Sequence, residues 1–152
     1  MNLSTTPSLQ MLTRLVITDL LDKFSNRVDR GESIAELLVQ DARFSTPQWQ
    51  ATGRDEIVAK LHALAEKRAT GNREIRHVTT SVEIDETAPS EYRVRSTLLL
   101  LAIDVATGEN GVLMVGNHDD IVHMDAEGNC RFSARTMRRA FGFSQAPMTV
   151  RN

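Results

Sequence analysis

The feature that most constrains this chain is a change of hydrophobic period at Gly71. Upstream of it, apolar residues recur at three- and four-residue steps. Downstream they alternate, in strands joined by turns too short to hold a crossover helix. Leu9, Leu12, Val16, Leu20, Phe24 and Val28 predict one helix, with Ser8 as its N-cap and Gly31 as its stop. Ser33, Ile34, Leu37 and Leu38 predict a short second helix, and Asp41 to Pro47, centred on Phe44, suits a short strand. Gly53 and Arg54 open a third helix carrying Ile57, Val58, Leu61 and Leu64. After Gly71, strands are expected over 75–84, 92–105, 111–125 and 130–139, with turns at Thr107–Gly111 and Ala126–Asn129. Helices followed by an antiparallel meander make an α+β plan, with no parallel pairing among the last three strands. The expected shape is a cone: a curved mixed, mainly antiparallel sheet wrapped around the three N-terminal helices. Its hollow would take a small apolar ligand.

With 152 residues the chain suits one domain over 1–152, with 1–8 and 142–152 as arms. A formal net charge of −2 makes no electrostatic case for a nucleic-acid or anionic-membrane partner. The longest apolar run, Leu98 to Ile103, is too short to span a bilayer, and no basic segment followed by an apolar core suggests a signal peptide. One cysteine, Cys130, builds neither an internal disulfide nor a cysteine-based zinc site, so a reducing, cytoplasmic setting is expected.

The polar residues able to do chemistry are Asp29, His77, His118, Asp120, His123 and Arg135. Strict alternation puts His77 with Ile75, Thr79 and Ser81, opposite Val78, Val82 and Ile84. From spacing alone, His77 is a surface or sheet-bonded histidine. His118 shares a face with Met114, Gly116, Asp120 and Val122, whereas His123 points the other way, so no metal site is expected. On an ideal wheel Asp29 lies off the apolar stripe beside Asp22, which predicts a solvated carboxylate. Arg135, flanked on its strand by Arg131 and Arg139, fits a plain basic face as well as a pocket.

The order of elements and several short motifs resemble the nuclear transport factor 2-like superfamily, in its SnoaL-like branch, over residues 9 to 141. The carriers are Val28-Asp29-Arg30-Gly31-Glu32, Leu37 to Phe44, Ile75 to Ser81, Val115 to Asp120 and Arg131 to Arg135. The pattern is similar to that of scytalone dehydratase and hexachlorocyclohexane dehydrochlorinase. The resemblance implies the cystatin-like α+β barrel of that superfamily, with Asp29 turned inward to hold His77 as a base. It also places His118 where the dehydratase uses a second histidine and Arg135 where the dehydrochlorinase has a pocket arginine. Phe24 stands in place of the dehydrochlorinase's lysine, which argues against chloride elimination. Phe24, Phe44, Leu98 and Asp120 are expected to line the substrate pocket.

A carboxylate on one ring nitrogen fixes the histidine tautomer and leaves the other nitrogen as a base at neutral pH. The expected function is therefore a cofactor-independent lyase or isomerase acting on a small hydrophobic cyclic substrate. Two other readings stay open: a non-catalytic ligand-binding or interaction module, and a small structural subunit of an aromatic-ring dioxygenase. The strand Tyr92–Val105 is apolar on both faces, and Leu99, Leu101 and Ile103 would leave a patch for a second copy. The resemblance implies a homodimer or homotrimer through that face.

Overall fold

The structure, a computed structural model, describes residues 8–142; apart from Ser8 and Gly142, the arms expected at the two ends lie outside those residues. Helix α1 (Leu9–Arg30) begins where the Ser8 hydroxyl accepts the Met11 backbone N–H at 3.3 Å. It stops at Gly31, whose φ of 69° suits a residue without a Cβ. Ile17, Leu20, Leu21, Phe24, Ser25 and Val28 form its buried side, while Leu9 and Leu12, the first members of the expected stripe, are exposed. The second helix expected from sequence is instead a single 3-10 turn, Ala35–Leu37. So short a segment does not offset the cost of nucleating an α-helix, and Leu38 pairs with Phe132 as the start of strand β1 (Leu38–Ser45). Among the described residues two α-helices form, not three.

Strand β2 (Gln50–Thr52) leads into helix α2 (Arg54–Thr70). Four long strands follow: β3 (Arg73–Ala88), β4 (Glu91–Asp104), β5 (Asn110–Met124) and β6 (Cys130–Gly142). The six strands make one sheet in the order β2-β1-β6-β5-β4-β3. Among the described residues only β1 and β6 run parallel; β3 through β6 form the antiparallel meander that their short turns require. Register shifts in β3, β5 and β6 bend the long strands, and the sheet curves as a cone without closing. The core lies between α1 and the inner face, where Ile17, Leu21, Ile34, Leu38, Ile57, Val94, Val122 and Phe132 are buried together. Phe44 stacks on Trp49 at 4.8 Å between centroids and on Phe24 at 5.9 Å.

Strand β3 is one of the two edges of the sheet, and α1 packs against it. The guanidinium of Arg14 donates to the Val82 carbonyl at 3.1 Å, and Asp29 accepts the His77 backbone N–H, so helix side chains satisfy edge groups at two places. A bulge interrupts the alternation of β3. Between the pairs Thr80–Thr97 and Glu83–Arg95, β3 carries one residue more than β4, and Ser81 there has φ 54°. Ile75, His77 and Thr79 therefore turn toward α1 before the bulge, and Val82 and Ile84 do so after it, whereas Val78 is 43% exposed. Strict alternation had grouped Val78 with Val82 and Ile84. The extra residue changes the parity, so both apolar segments of β3 and His77 share the inner face.

Candidate active site

His77 and Asp29 meet where the end of α1 crosses the sheet edge. The ring nitrogen Nδ1 of His77 lies 2.6 Å from Asp29 Oδ1, and the same carboxylate accepts the His77 backbone N–H at 3.0 and 3.3 Å. An ionised carboxylate only accepts, so Nδ1 carries a proton, and in the neutral ring the lone pair is then on Nε2. The Asp29 side chain is 5% exposed, not solvated as its place on the wheel suggested. The reason is the packing of α1 against a sheet edge as well as a sheet face. Ser25, one turn earlier on the same side of the helix, is buried too, so the covered arc widens in the last two turns to take in Asp29. The Arg68 guanidinium, donating to the Val28 carbonyl at 2.9 Å, adds a favourable charge near that carboxylate.

A second polar group lies deeper on the same inner face. His118 and Asp120 alternate inward on β5, and Arg135 on β6 is registered opposite Asp120. All three are buried. Arg135 Nη2 stands 2.7 Å from His118 Nδ1, and its Nε lies 3.6 Å from Asp120 Oδ1. The guanidinium carbon is 4.2 Å from the Phe24 ring centroid and 4.8 Å from that of Phe132, close enough for cation–π attraction to both. Burial holds the His118 ring well below its ordinary pKa, assisted by the charge of Arg135 and then by His77. Burial likewise pushes the Asp120 carboxyl up to about 7, against the opposing pull of Arg135.

Two residues on this face were not singled out from sequence. Ser96 is 5% exposed, and its hydroxyl and that of Thr79 have no hydrogen-bond partner among the described residues. The signal was present for Ser96, a hydroxyl on the inward parity of β4 between Val94 and Leu98. Of the four residues expected to line a pocket, Phe24, Phe44 and Leu98 are packed into the interior and Asp120 belongs to the buried cluster. A cavity of about 420 Å3 opens beside Ile75, Leu101, Ile103 and Val112, and one of about 510 Å3 lies between the end of α1 and α2, beside Val28, Ile34 and Leu61. His123 lies on the other face, 3.5 Å from Glu91. Among the described residues, no group of three or more His, Cys, Asp or Glu side chains is placed to hold a metal, and no helix is long and apolar enough to cross a membrane.

The model of the SnoaL-like domain family matches residues 10–136, a span that includes Asp29, His77, His118, Asp120 and Arg135. The chain belongs to that family. The fold of this SnoaL-like domain recurs in solved structures. A scytalone dehydratase candidate from Novosphingobium aromaticivorans superposes with a TM-score of 0.74 at 23% identity, over 94% of this chain and 97% of that one. The protein ActVI-ORFA of Streptomyces coelicolor gives 0.73 at 15% identity, over 84% of this chain and 97% of that one. The beta subunit of a candidate aromatic-ring-hydroxylating dioxygenase from Novosphingobium aromaticivorans gives 0.72 at 15% identity, over 93% and 97%. At these identities the likeness is one of fold. No curated protein sequence matches the chain.

Proposed function

We propose that this SnoaL-like domain is a cofactor-independent lyase or isomerase that removes a proton from a small, hydrophobic, cyclic substrate. The observation that carries the reading is the 2.6 Å contact between His77 Nδ1 and a buried Asp29 carboxylate. It leaves Nε2 as the proton acceptor and supplies a countercharge for the imidazolium that forms. Nε2 takes the proton from a ring carbon next to a carbonyl, and the electron pair passes to the carbonyl oxygen. Return of the pair to expel a hydroxyl, which leaves as water after taking a proton, gives dehydration; return of the proton to another carbon gives isomerisation. His118 or Arg135 meets the negative charge that develops on oxygen. No step calls for a metal or an organic cofactor.

The likeness to a dioxygenase beta subunit supports a second reading, a domain that serves assembly and does no chemistry. Such a role does not require that carboxylate to hold the His77 ring as well as its backbone N–H. The half-buried Leu99 and Leu101, with Val78 and Ile103 exposed beside them, support self-association as a homodimer or homotrimer through the outer sheet face. Sedimentation as a monomer at micromolar concentration would dismiss that part.

The deciding experiment incubates the full chain in heavy water with bicyclic β-hydroxy ketones. Proton NMR then follows deuterium uptake next to the carbonyl together with loss of water. Uptake that disappears in His77→Ala supports the proposal. Ligand binding with no exchange in any member of the panel would leave the binding-module reading in its place.

A further inference from the structure

The contact between Arg135 and His118 is chemically one-sided. A guanidinium has donors only and stays charged in proteins, so at 2.7 Å its Nη2 must be donating into a lone pair on His118 Nδ1. The ring proton then sits on Nε2. Protonating Nδ1 would remove the acceptor and set two cations against each other in the interior. We propose that Asp120 and Arg135 are a positioning pair that holds His118 as the neutral ring protonated at Nε2, so that it meets substrate as a hydrogen-bond donor and never as a base.

Three features keep the pair in place. Asp120 and His118 are two residues apart on β5 and so point inward together, and cross-strand register brings Arg135 beside Asp120. The guanidinium lies against Phe24 of α1 and Phe132 of its own strand, which hold its plane. Asp120, fully buried at 3.6 Å from Nε, faces the guanidinium and supplies its countercharge whenever the carboxyl is ionised. The titratable groups that act on His118 are Arg135 from β6 and His77 from β3, with Asp120 of β5 facing Arg135 and Asp29 of α1 behind His77. Arg135 and His77 both lower the proton affinity of His118, as does burial. In this arrangement Arg135 Nη2 acts on the substrate oxygen through His118. The oxygen that accepts from Nε2–H is a carbonyl or a departing hydroxyl, and this last step alone rests on the lyase or isomerase reading.

The ring state can be read without substrate. Long-range proton–nitrogen NMR on the full chain labelled with nitrogen-15 at histidine distinguishes the two neutral tautomers and the cation. In the wild-type protein, His118 is expected to be neutral with its proton on Nε2 at neutral pH and to stay so below the ordinary histidine range. Arg135→Lys, which still donates, is expected to keep that tautomer. Arg135→Gln should return the titration toward the ordinary histidine range and lower kcat on the order of tenfold or more, with KM little changed. A wild-type His118 protonated on Nδ1, or cationic near neutrality, overturns the inference even if neither variant folds. So does a folded Arg135→Gln protein with an unchanged His118 titration. Absence of turnover in a wild-type protein with the Nε2–H ring would instead strike the proposed function and leave the positioning pair standing.

Discussion

His77 and His118 are the same side chain on the same concave face, two strands apart, with opposite partners. His77 faces a carboxylate near the rim, and His118 faces a guanidinium in the interior. A carboxylate can only accept and a guanidinium can only donate, so the free nitrogen carries a lone pair in one ring and a proton in the other. One inner face thereby carries two neutral rings of opposite polarity, an acceptor and a donor, when both are uncharged. The lesson is that the chemistry of a histidine follows from its neighbour's charge more than from its own place in a strand.

The comparison breaks most visibly at the acceptor. His77→Ala should reduce kcat on the order of 1,000-fold or more while the thermal unfolding midpoint stays close to wild type, because removing a general base costs up to about 10,000-fold. A loss below about tenfold would mean that His77 is no base. Asp29→Asn should cost on the order of 100-fold, since the amide presents the wrong hydrogen-bonding group and no charge for the imidazolium. Steady-state rates should show the deficit in kcat and little change in KM.

The donor side is tested by pH. The native Asp120 carboxyl, raised to about 7 from an ordinary 3.8, keeps a proton that the unfolded chain has already lost between those values. Its contribution to stability is thus full below about pH 4 and is lost as pH rises to about 7. His118 runs the other way: its native pKa lies below the ordinary 6.5, so its contribution is full above that value and is lost as pH falls beneath it. Where the windows overlap, the two cancel. Asp120→Asn should therefore lose stability toward acid below about pH 6.5. His118→Gln should lose it as pH rises from about 4 to about 7. Each slope is at most about 1.4 kcal/mol per pH unit, measurable as urea midpoints across pH. Parallel profiles for the two variants would deny that both groups are perturbed.

The smallest effect expected concerns the bulge that puts His77 on the inner face together with Val82 and Ile84. Ser81→Gly should stabilise the fold by about 0.5–1 kcal/mol, because glycine adopts a φ of 54° without the Cβ penalty. Thermal denaturation of that variant against wild type checks it, and a lower midpoint would show that Ser81 supplies something its backbone angle does not reveal.

Much of the framework was legible in the sequence. Periods of three and four residues marked α1 and α2, period two marked β3 to β6, and short turns dictated an antiparallel meander. Gly31 and Ser8 marked both ends of α1 through local backbone chemistry. The segment around Ile34 was misread as a helix because its apolar spacing fits a helix too short to persist, and strand pairing with β6 took Leu38 instead.

What the sequence determined by itself was whatever depends on neighbours a few residues away: helix and strand periods, caps, turns, and the inward side of β5 that joins His118 to Asp120. What only the tertiary structure decided was whatever depends on a partner far along the chain. Asp29 and His77 are 48 residues apart, and Asp29 is covered because α1 packs against a sheet edge, which no helical wheel contains. Likewise the bulge at Ser81 appears only when β3 is laid against β4, and a single inserted residue reverses the sides of the residues that follow it, up to the next shift after Glu86. The ring states of the two histidines were decided last, because the charge that sets each one arrives from another strand or helix.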